Sequence, residues 1–589
     1  MLKNYLKTAF RNLWREKTYS LINIIGLSVG LASCFIILLY SVHELSYDRY
    51  NKNLNRIYLM TMDWPFKAQG WTEPLVPFPT GPALKAEYPE VQQYARSRIR
   101  SCQLKWGAKT FDGIQCASTD SSIFKILTLP IVEGNLKEAF VQRNYAIVSR
   151  ALARRLFGND GAIGQVIDVN WMSQHYSLTV TAVMKDIPST STFQADCILP
   201  ILAEENSIVR LFSTYPDVLH SWLPHDFNTY VLLSGNNSAG YLRKKLVKFS
   251  NEHSVLLSFP HEFHLVALKH AYFRPATIIN TYPMPKGNLS DVEIYSAIAL
   301  LILLIACVNF VMLSTARATA RTKEIGVRKV IGATRLDVVK QTMIESLMVA
   351  VISLPVALLL VELFMPSLTT LLGKKLPADY YRSAESLLLY IAVTLVAAIL
   401  SGAYVSFYLS GFRPAEILRN KFNRGHERVT LRRVLLGFQM VISVGLILSS
   451  MTIYRQMRYF HTRNLGFDDK NLVVFSRLSN DDADTLLGVR YHIFSSKVET
   501  LPNIASLACG DFVPGTELAD MEQGTNLSDP QKIFMFDDYS VNRDIFEAMG
   551  MKMVYGKTFE QASPEESKDA VIINKKLSKI LVLPIHQIS

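Results

Sequence analysis

ARATARTKEIGVRKVIGATRLDVVKQTMIESL, Ala316 to Leu347, is the stretch whose composition decides the architecture of this chain. From Arg317 to Lys340 it carries seven Lys or Arg against two acids, Glu324 and Asp337, and both flanks turn apolar within a few residues. A helix needs about 20 residues to cross a bilayer, and Lys and Arg are held on the cytoplasmic side. The pattern therefore predicts two spans joined by a basic cytoplasmic connection. The stretch also carries its own punctuation. Gly332 suits a left-handed helix C-cap, and Thr334 can cap the next helix, with Asp337 three residues on completing a capping box. The expectation is a short basic helix that stops near Gly332 and a second helix that runs unbroken into the membrane. Such an elbow has no slack and can carry force. A plainer expectation remains at this point: an interfacial basic helix that only anchors the loop to anionic lipid.

Working outward, five apolar blocks of spanning length lie in the 589 residues, at 20–42, 291–316, 343–365, 387–410 and 434–454. Residues 1–19 place Leu2, Leu6, Leu13 and Trp14 on one helical face and Lys3, Lys7, Arg11 and Arg15 around the other. This is an amphipathic helix for a membrane surface. The run from Leu21 to Val42 is too long for a signal-peptide core, so it is an uncleaved first span. Within it Gly26, Gly30 and Cys34 form a small-residue strip suited to close helix packing. With a cytoplasmic N-terminus, residues 43–290 lie outside, 317–342 form the cytoplasmic coupling segment, and the basic linker 411–433 returns the chain inside. Residues 455–589 then form a second external domain. The predicted fold class is an α-helical integral membrane protein with about five transmembrane helices plus α+β periplasmic domains, with strands such as Tyr176–Val183.

The net charge of +12 could suggest nucleic acid, but the basic residues cluster beside the apolar blocks, where they fix orientation instead. Six cysteines without CxxC spacing fit neither a disulfide scaffold nor a zinc site. Cys34 and Cys307 lie in apolar blocks and are packing residues. Cys102 and Cys116 flank a hairpin turn at Gly107-Ala108; a cross-strand disulfide and two unpaired thiols both fit, the thiols being the plainer case. No GxxxxGK[ST] phosphate loop occurs, so ATP must be handled by another subunit. His261-Glu262-Phe263-His264 has the wrong spacing for HExxH, and no GxSxG elbow is present. Glu345 and Glu362 sit near the ends of the third span, where snorkelling or a helix-end partner accounts for them better than a proton relay. Asn309 and Gln439 are candidate interhelical hydrogen-bond donors.

The two halves repeat the order of basic segment, span and external domain. AIVSRALARRLF (Ala146–Phe157) resembles VIINKKLSKILV (Val571–Val582), and AIGQ (Ala162–Gln165) faces PIHQ (Pro584–Gln587). His586 stands where the first copy has Gly164. Set against the first copy, the second is expected to end partway through its external domain, without three further spans.

EIGVRKVIGA (Glu324–Ala333) resembles the signature loop of MacB/FtsX-type ABC transporter permeases, a group that includes the lipoprotein-release permeases. RNLWREKTYSLINIIGLSVGLA (Arg11–Ala32) is similar to the start of their large Bacteroidetes-like members, and ALARRLFGNDGAIGQVI (Ala151–Ile167) to their MacB-type periplasmic core domain. FRPAEILR (Phe412–Arg419) and FEAMGMKMVYGKTF (Phe546–Phe559) match the motif after the fourth span and the second external domain. The resemblance implies a bacterial inner-membrane protein that binds no cofactor itself and docks on a cytoplasmic ABC ATPase dimer carrying ATP and Mg²⁺. By residue it assigns the ATPase contact to Glu324, Gly326, Arg328, Lys329, Gly332 and Ala333, the glycines for close approach and the charges for registry. It implies mechanotransmission to the periplasmic domains for efflux, lipoprotein release or other export. A second permease copy, a periplasmic adaptor and an outer-membrane component are further partners. An FtsX-like regulator of periplasmic cell-wall enzymes, and a sensor or adhesin without an ATPase, are the rival functions.

Overall fold

The computed structural model describes residues 2–63, 72–158, 160–171, 174–204, 208–209, 219–222, 225–253, 262–274, 284–372, 378–410, 425–463, 466–468, 471–475, 484–510, 520–526, 529–563 and 570–581. The basic residues 411–424 with the FRPAEILR motif, His261, and Pro584–Gln587 fall outside these. The chain divides into two units, Met1–Ser46 with Asn288–Thr462, and Tyr47–Gly287 with Arg463–Ser589.

The first unit is helical: α1 (Leu2–Arg15), α2 (Lys17–Leu45), α3 (Leu289–Val330), α4 (Arg335–Leu372), α5 (Ala384–Ser410) and α6 (Gly425–Thr462). Among the described residues five helices, α2 to α6, are long and apolar enough to cross a membrane. They are helices because a backbone in hydrocarbon must satisfy its own N–H and C=O groups. Leu31, Phe35, Ala306, Phe310, Ala350 and Ala397 belong to one core built from α2, α3, α4 and α5. Small residues set its spacing. A Cβ on Gly30 would run into the Ala306 methyl of α3, and one on Gly402 would meet Ser346 of α4 at 3.0 Å. Ser28 donates across to the Ser353 carbonyl at 3.1 Å. α6 adds nothing to this core, and its residues Val441 and Ile447 are exposed.

Two expectations need correction here. The second span and the basic segment after it are one helix: α3 runs 42 residues without a break, and the connection to α4 is only the turn 331–334. Nothing between Ala316 and Val330 stops it, since the one glycine, Gly326, can be carried in a helix interior. Nor do Asn309 and Gln439 make interhelical hydrogen bonds among the described residues. Asn309 lies against Gly26, and Gln439 is on α6, none of whose described residues belongs to the core. Glu362 has the helix-end partner expected of it, an ion pair with Arg382.

The second unit holds a mixed sheet. In chain order its main strands are β1 (Ile57–Asp63), β2 (Val91–Trp106), β3 (Lys109–Thr119), β4 (Ile131–Gly134), β5 (Tyr145–Ser149), β6 (Val166–Trp171), β7 (Gln174–Met184), β8 (Cys197–Pro200), β9 (His225–Leu233) and β10 (Glu262–Ala267). They lie in the order β10-β1-β9-β2-β3-β8-β5-β7-β4, with β6 pairing β2 and β7. β8 runs parallel to β3 and β5 parallel to β7, each through a crossover. The β2–β3 hairpin turns at Gly107 and Ala108, with Gly107 at φ 56°. Cys102 and Cys116 are disulfide-bonded, Cα atoms 6.2 Å apart, which replaces the expectation of two free thiols. The hairpin register sets Cys102 opposite Ile114, so the two cysteines are diagonal neighbours on one face, close enough to bond. An oxidised pair suits a periplasmic domain. His264 pairs with Asp63 at 2.9 Å on neighbouring strands, and no group of three metal-ligating side chains occurs among the described residues.

The repeat is visible as a shared cap. Ser149 accepts from the Leu152 amide at 3.1 Å to start the helix Arg150–Phe157. Asn574, at the equivalent position, accepts from the Leu577 amide at 2.8 Å to start the helix Lys575–Ile580.

Chain entry into the second unit is pinned by Asp48, buried and at φ 60°. Its carboxylate accepts from the Thr192 amide at 3.0 Å and the Thr192 hydroxyl at 2.8 Å. Burial outweighs these bonds and pushes the Asp48 carboxyl up to about 6. The folded state thus holds this proton more tightly than the unfolded chain does, so stability falls as pH rises through about 6. Relative to Asp48→Asn, the wild-type protein is expected to lose about 1 kcal/mol between pH 5 and pH 7. Melting of the purified full chain in detergent checks this; a constant difference between the two proteins across that range would show that Asp48 does not titrate there.

Candidate functional site

The elbow is built by two hydrogen-bond motifs on either side of one glycine. α3 ends as a Schellman motif: the Ala333 amide donates to the Arg328 carbonyl at 3.0 Å and the Gly332 amide to the Lys329 carbonyl at 3.2 Å. Gly332 reverses the chain at φ 109°, a conformation that a Cβ disfavours. α4 then begins with the predicted capping box. The Thr334 amide and hydroxyl donate to Asp337 Oδ2 at 3.0 and 2.6 Å, and the Asp337 amide donates to Thr334 Oγ1 at 3.3 Å. The four amides of the turn 331–334 are thereby hydrogen-bonded within the elbow. At about 1.5 Å per residue, the basic part of α3 beyond Ala316 projects on the order of 20 Å from the span.

Side chains tie this projection back to the bundle. Arg328 donates to Glu324 Oε1 and to Gln341 Oε1, both at 2.6 Å, joining α3 to α4. Lys329 Nζ donates to the Ser410 carbonyl at 2.8 Å, and Arg335 Nε to the Ser410 hydroxyl at 3.2 Å, so both arms grip the end of α5. Burial, then the neighbouring Arg335, hold the Lys329 ammonium below its usual pKa. From α1, Tyr5 donates to Asp337 Oδ1 at 3.1 Å and Asn12 to Glu345 Oε1 at 2.9 Å.

Of the six residues that sequence assigned to an ATPase contact, Gly332 and Ala333 form the turn, Gly326 is buried, and Arg328 and Lys329 hold the elbow together. Glu324 is half exposed beside Arg328. A Cβ on Gly332 would meet open space, so its glycine serves backbone conformation and no packing within the chain. Among the side chains the elbow exposes, beside Glu324, Thr334 and Arg335, are four apolar ones: Val327, Val330, Ile331 and Leu336, Ile331 to 81%. Sequence reasoning passed over these four because it followed the charges. Val327, Val330 and Ile331 at i, i+3 and i+4 were legible as one helix face.

Two family models match the chain: the MacB-like periplasmic core domain over residues 20–248 and the FtsX-like permease C-terminal domain over residues 296–414. The chain belongs to the MacB/FtsX-type ABC permeases. This permease is a multi-pass inner-membrane protein with periplasmic domains, and its family implies a partner ATPase. Its structure is similar to a domain of a permease protein from Porphyromonas gingivalis (18% identity, TM-score 0.32, 37% of this chain and 91% of that one). It is also similar to the periplasmic region of MacB from Actinobacillus actinomycetemcomitans (16%, 0.27, 37% and 89%). A third likeness is to the extracellular domain of the noncanonic ABC-type transporter YknZ from Gram-positive bacteria (13%, 0.25, 36% and 99%). No curated protein matches the permease.

Gly332→Ala in this permease is expected to cost about 1 kcal/mol, and Gly332→Asn less, because Asn tolerates positive φ better. Thr334→Ala should cost about 1 kcal/mol through the lost cap. Hydrogen exchange at the Ala333 and Asp337 amides reads both; unchanged protection would show that the turn is held by something other than these bonds.

Proposed function

We propose that this chain is the permease subunit that couples ATP hydrolysis by a separate cytoplasmic ATPase dimer to movement of its periplasmic domains. The observation that supports this most directly is the apolar tip of the elbow. Solvent-exposed Ile331 and Leu336, at the tip of a hairpin whose arms α3 and α4 are bonded to each other, to α1 and to α5, are what a partner surface would cover. A push on that tip reaches three membrane helices, since α3 and α4 continue into the bilayer and Lys329 and Arg335 hold α5. ATP and Mg²⁺ are held by the partner. Glu324 is placed to set registry at the rim, and Gly326, Arg328, Lys329, Gly332 and Ala333 act by shaping the elbow. The movement serves export or extraction of a lipophilic or peptide cargo.

With the ATPase co-expressed, Ile331→Glu and Leu336→Glu should each weaken co-purification about tenfold or more, as truncation of a central contact does. Gly332→Asn should weaken it with less effect on folding, because its side chain enters the docking face. Full co-purification with all three folded variants would overturn the docking site. Cargo movement in reconstituted vesicles that stops in the same variants would support transport over regulation of periplasmic enzymes.

A further inference from the structure

The chain passes between its two units at Ser46–Tyr47 and at Gly287–Asn288. In the first unit these points are the ends of two partnered helices. α2 stops at its C-cap Ser46, and α3 starts at Asn288, whose side chain accepts from the Ser290 amide at 3.0 Å. The two helices are packed together by Gly30 against Ala306 and, nearer these ends, by the edge-on contact of Tyr40 with Tyr295, ring centroids 5.6 Å apart. Close packing of this kind passes a displacement of one helix to the other. Inside the second unit both connections close on one side chain. The Tyr47 ring stacks on the Tyr272 ring, centroids 3.5 Å and planes 11° apart. Gly287 lies against the same ring, so closely that a Cβ there would run into it, and its amide donates to the Tyr272 carbonyl at 2.9 Å.

We infer that Tyr272 is the positioning residue through which α2 and α3 displace the edge of the periplasmic sheet, a role that rests on the coupling reading above. The ring is 1% exposed. It follows the short helix Leu268–Ala271, which directly continues β10. Leu268 and Ala271 share one core with Met284, three residues before Gly287, and with Leu59 of β1. β10 stands at the end of the strand order and pairs with β1 throughout, Glu262–Ala267 against Tyr58–Asp63. A rigid ring in a close-packed interior cannot shift without its neighbours. A movement of Tyr47 or Gly287 against Tyr272 is thereby delivered to β10, and through the ladder to β1. Stacking supplies this link without a covalent bond, and an aromatic pair holds its geometry better than aliphatic contact does.

The test is hydrogen exchange of the full chain with its co-expressed ATPase in detergent, first with ADP and then with ATP and vanadate. In the wild type the change of nucleotide should alter exchange at the β1 and β10 amides. In Tyr272→Ala that difference should shrink about fivefold, while Tyr272→Phe, which keeps the ring, retains it. The readout is the difference between nucleotide states, which a purely structural role for the ring would leave in place. Co-purification with the ATPase should be unchanged, because the elbow is untouched; weakened co-purification would place the effect on docking and overturn the proposal. Tyr47→Ala, at a half-buried position, removes the stacking partner and should give the same loss if Tyr272→Ala does not fold. A full nucleotide response in folded Tyr272→Ala, or its loss in Tyr272→Phe, would overturn the role of the ring and leave the coupling reading standing. No response in the wild-type complex would overturn the coupling reading and the role of Tyr272 with it.

Discussion

A helix in hydrocarbon cannot end there, because its last four carbonyls would lie unsatisfied in a medium with no water. α3 therefore has to continue until something outside the bilayer terminates it, and that is Gly332, four turns beyond Ala316. The Schellman bonds at Arg328 and Lys329 and the capping box at Thr334 close both helix ends in four residues. With every backbone N–H of the turn 331–334 hydrogen-bonded, the two long helices are joined without slack. The rest of the first unit is arranged around that stiffness.

The charges near the turn are turned inward more than their exposure in sequence suggests. Arg328 and Lys329 bind Gln341 and the Ser410 carbonyl, which frees the tip to be apolar at Val330 and Ile331. Surface ion pairs contribute little to stability, but these bonds join separate helices and fix geometry. α1 joins the same network through Tyr5 and Asn12, so a helix that looks like a membrane-surface anchor also braces the elbow.

Packing within the membrane relies on close approach instead of bulk. Gly30 against Ala306 and Gly402 against Ser346 bring helix backbones together where lipid and side chain are equally apolar. The external sheet uses other means: the Cys102–Cys116 disulfide, and Arg98 and Arg100 clasping buried Asp226 at 2.5 and 2.9 Å.

Much of this was legible along the chain, because span length, charge asymmetry and the local signals at Gly332, Thr334 and Asp337 act over a few residues. Sequence by itself determined five helices of spanning length, the elbow and its caps, and the family. Only tertiary structure decided that the basic segment continues the second span, which side chains Arg328 and Lys329 would engage, and that Cys102 and Cys116 would bond. It also decided that Tyr47 and Gly287 would meet at the Tyr272 ring. The physical reason is range: caps and hydropathy are set by neighbours within one or two turns, whereas Asn12 and Glu345 meet across 333 positions, which no local pattern encodes.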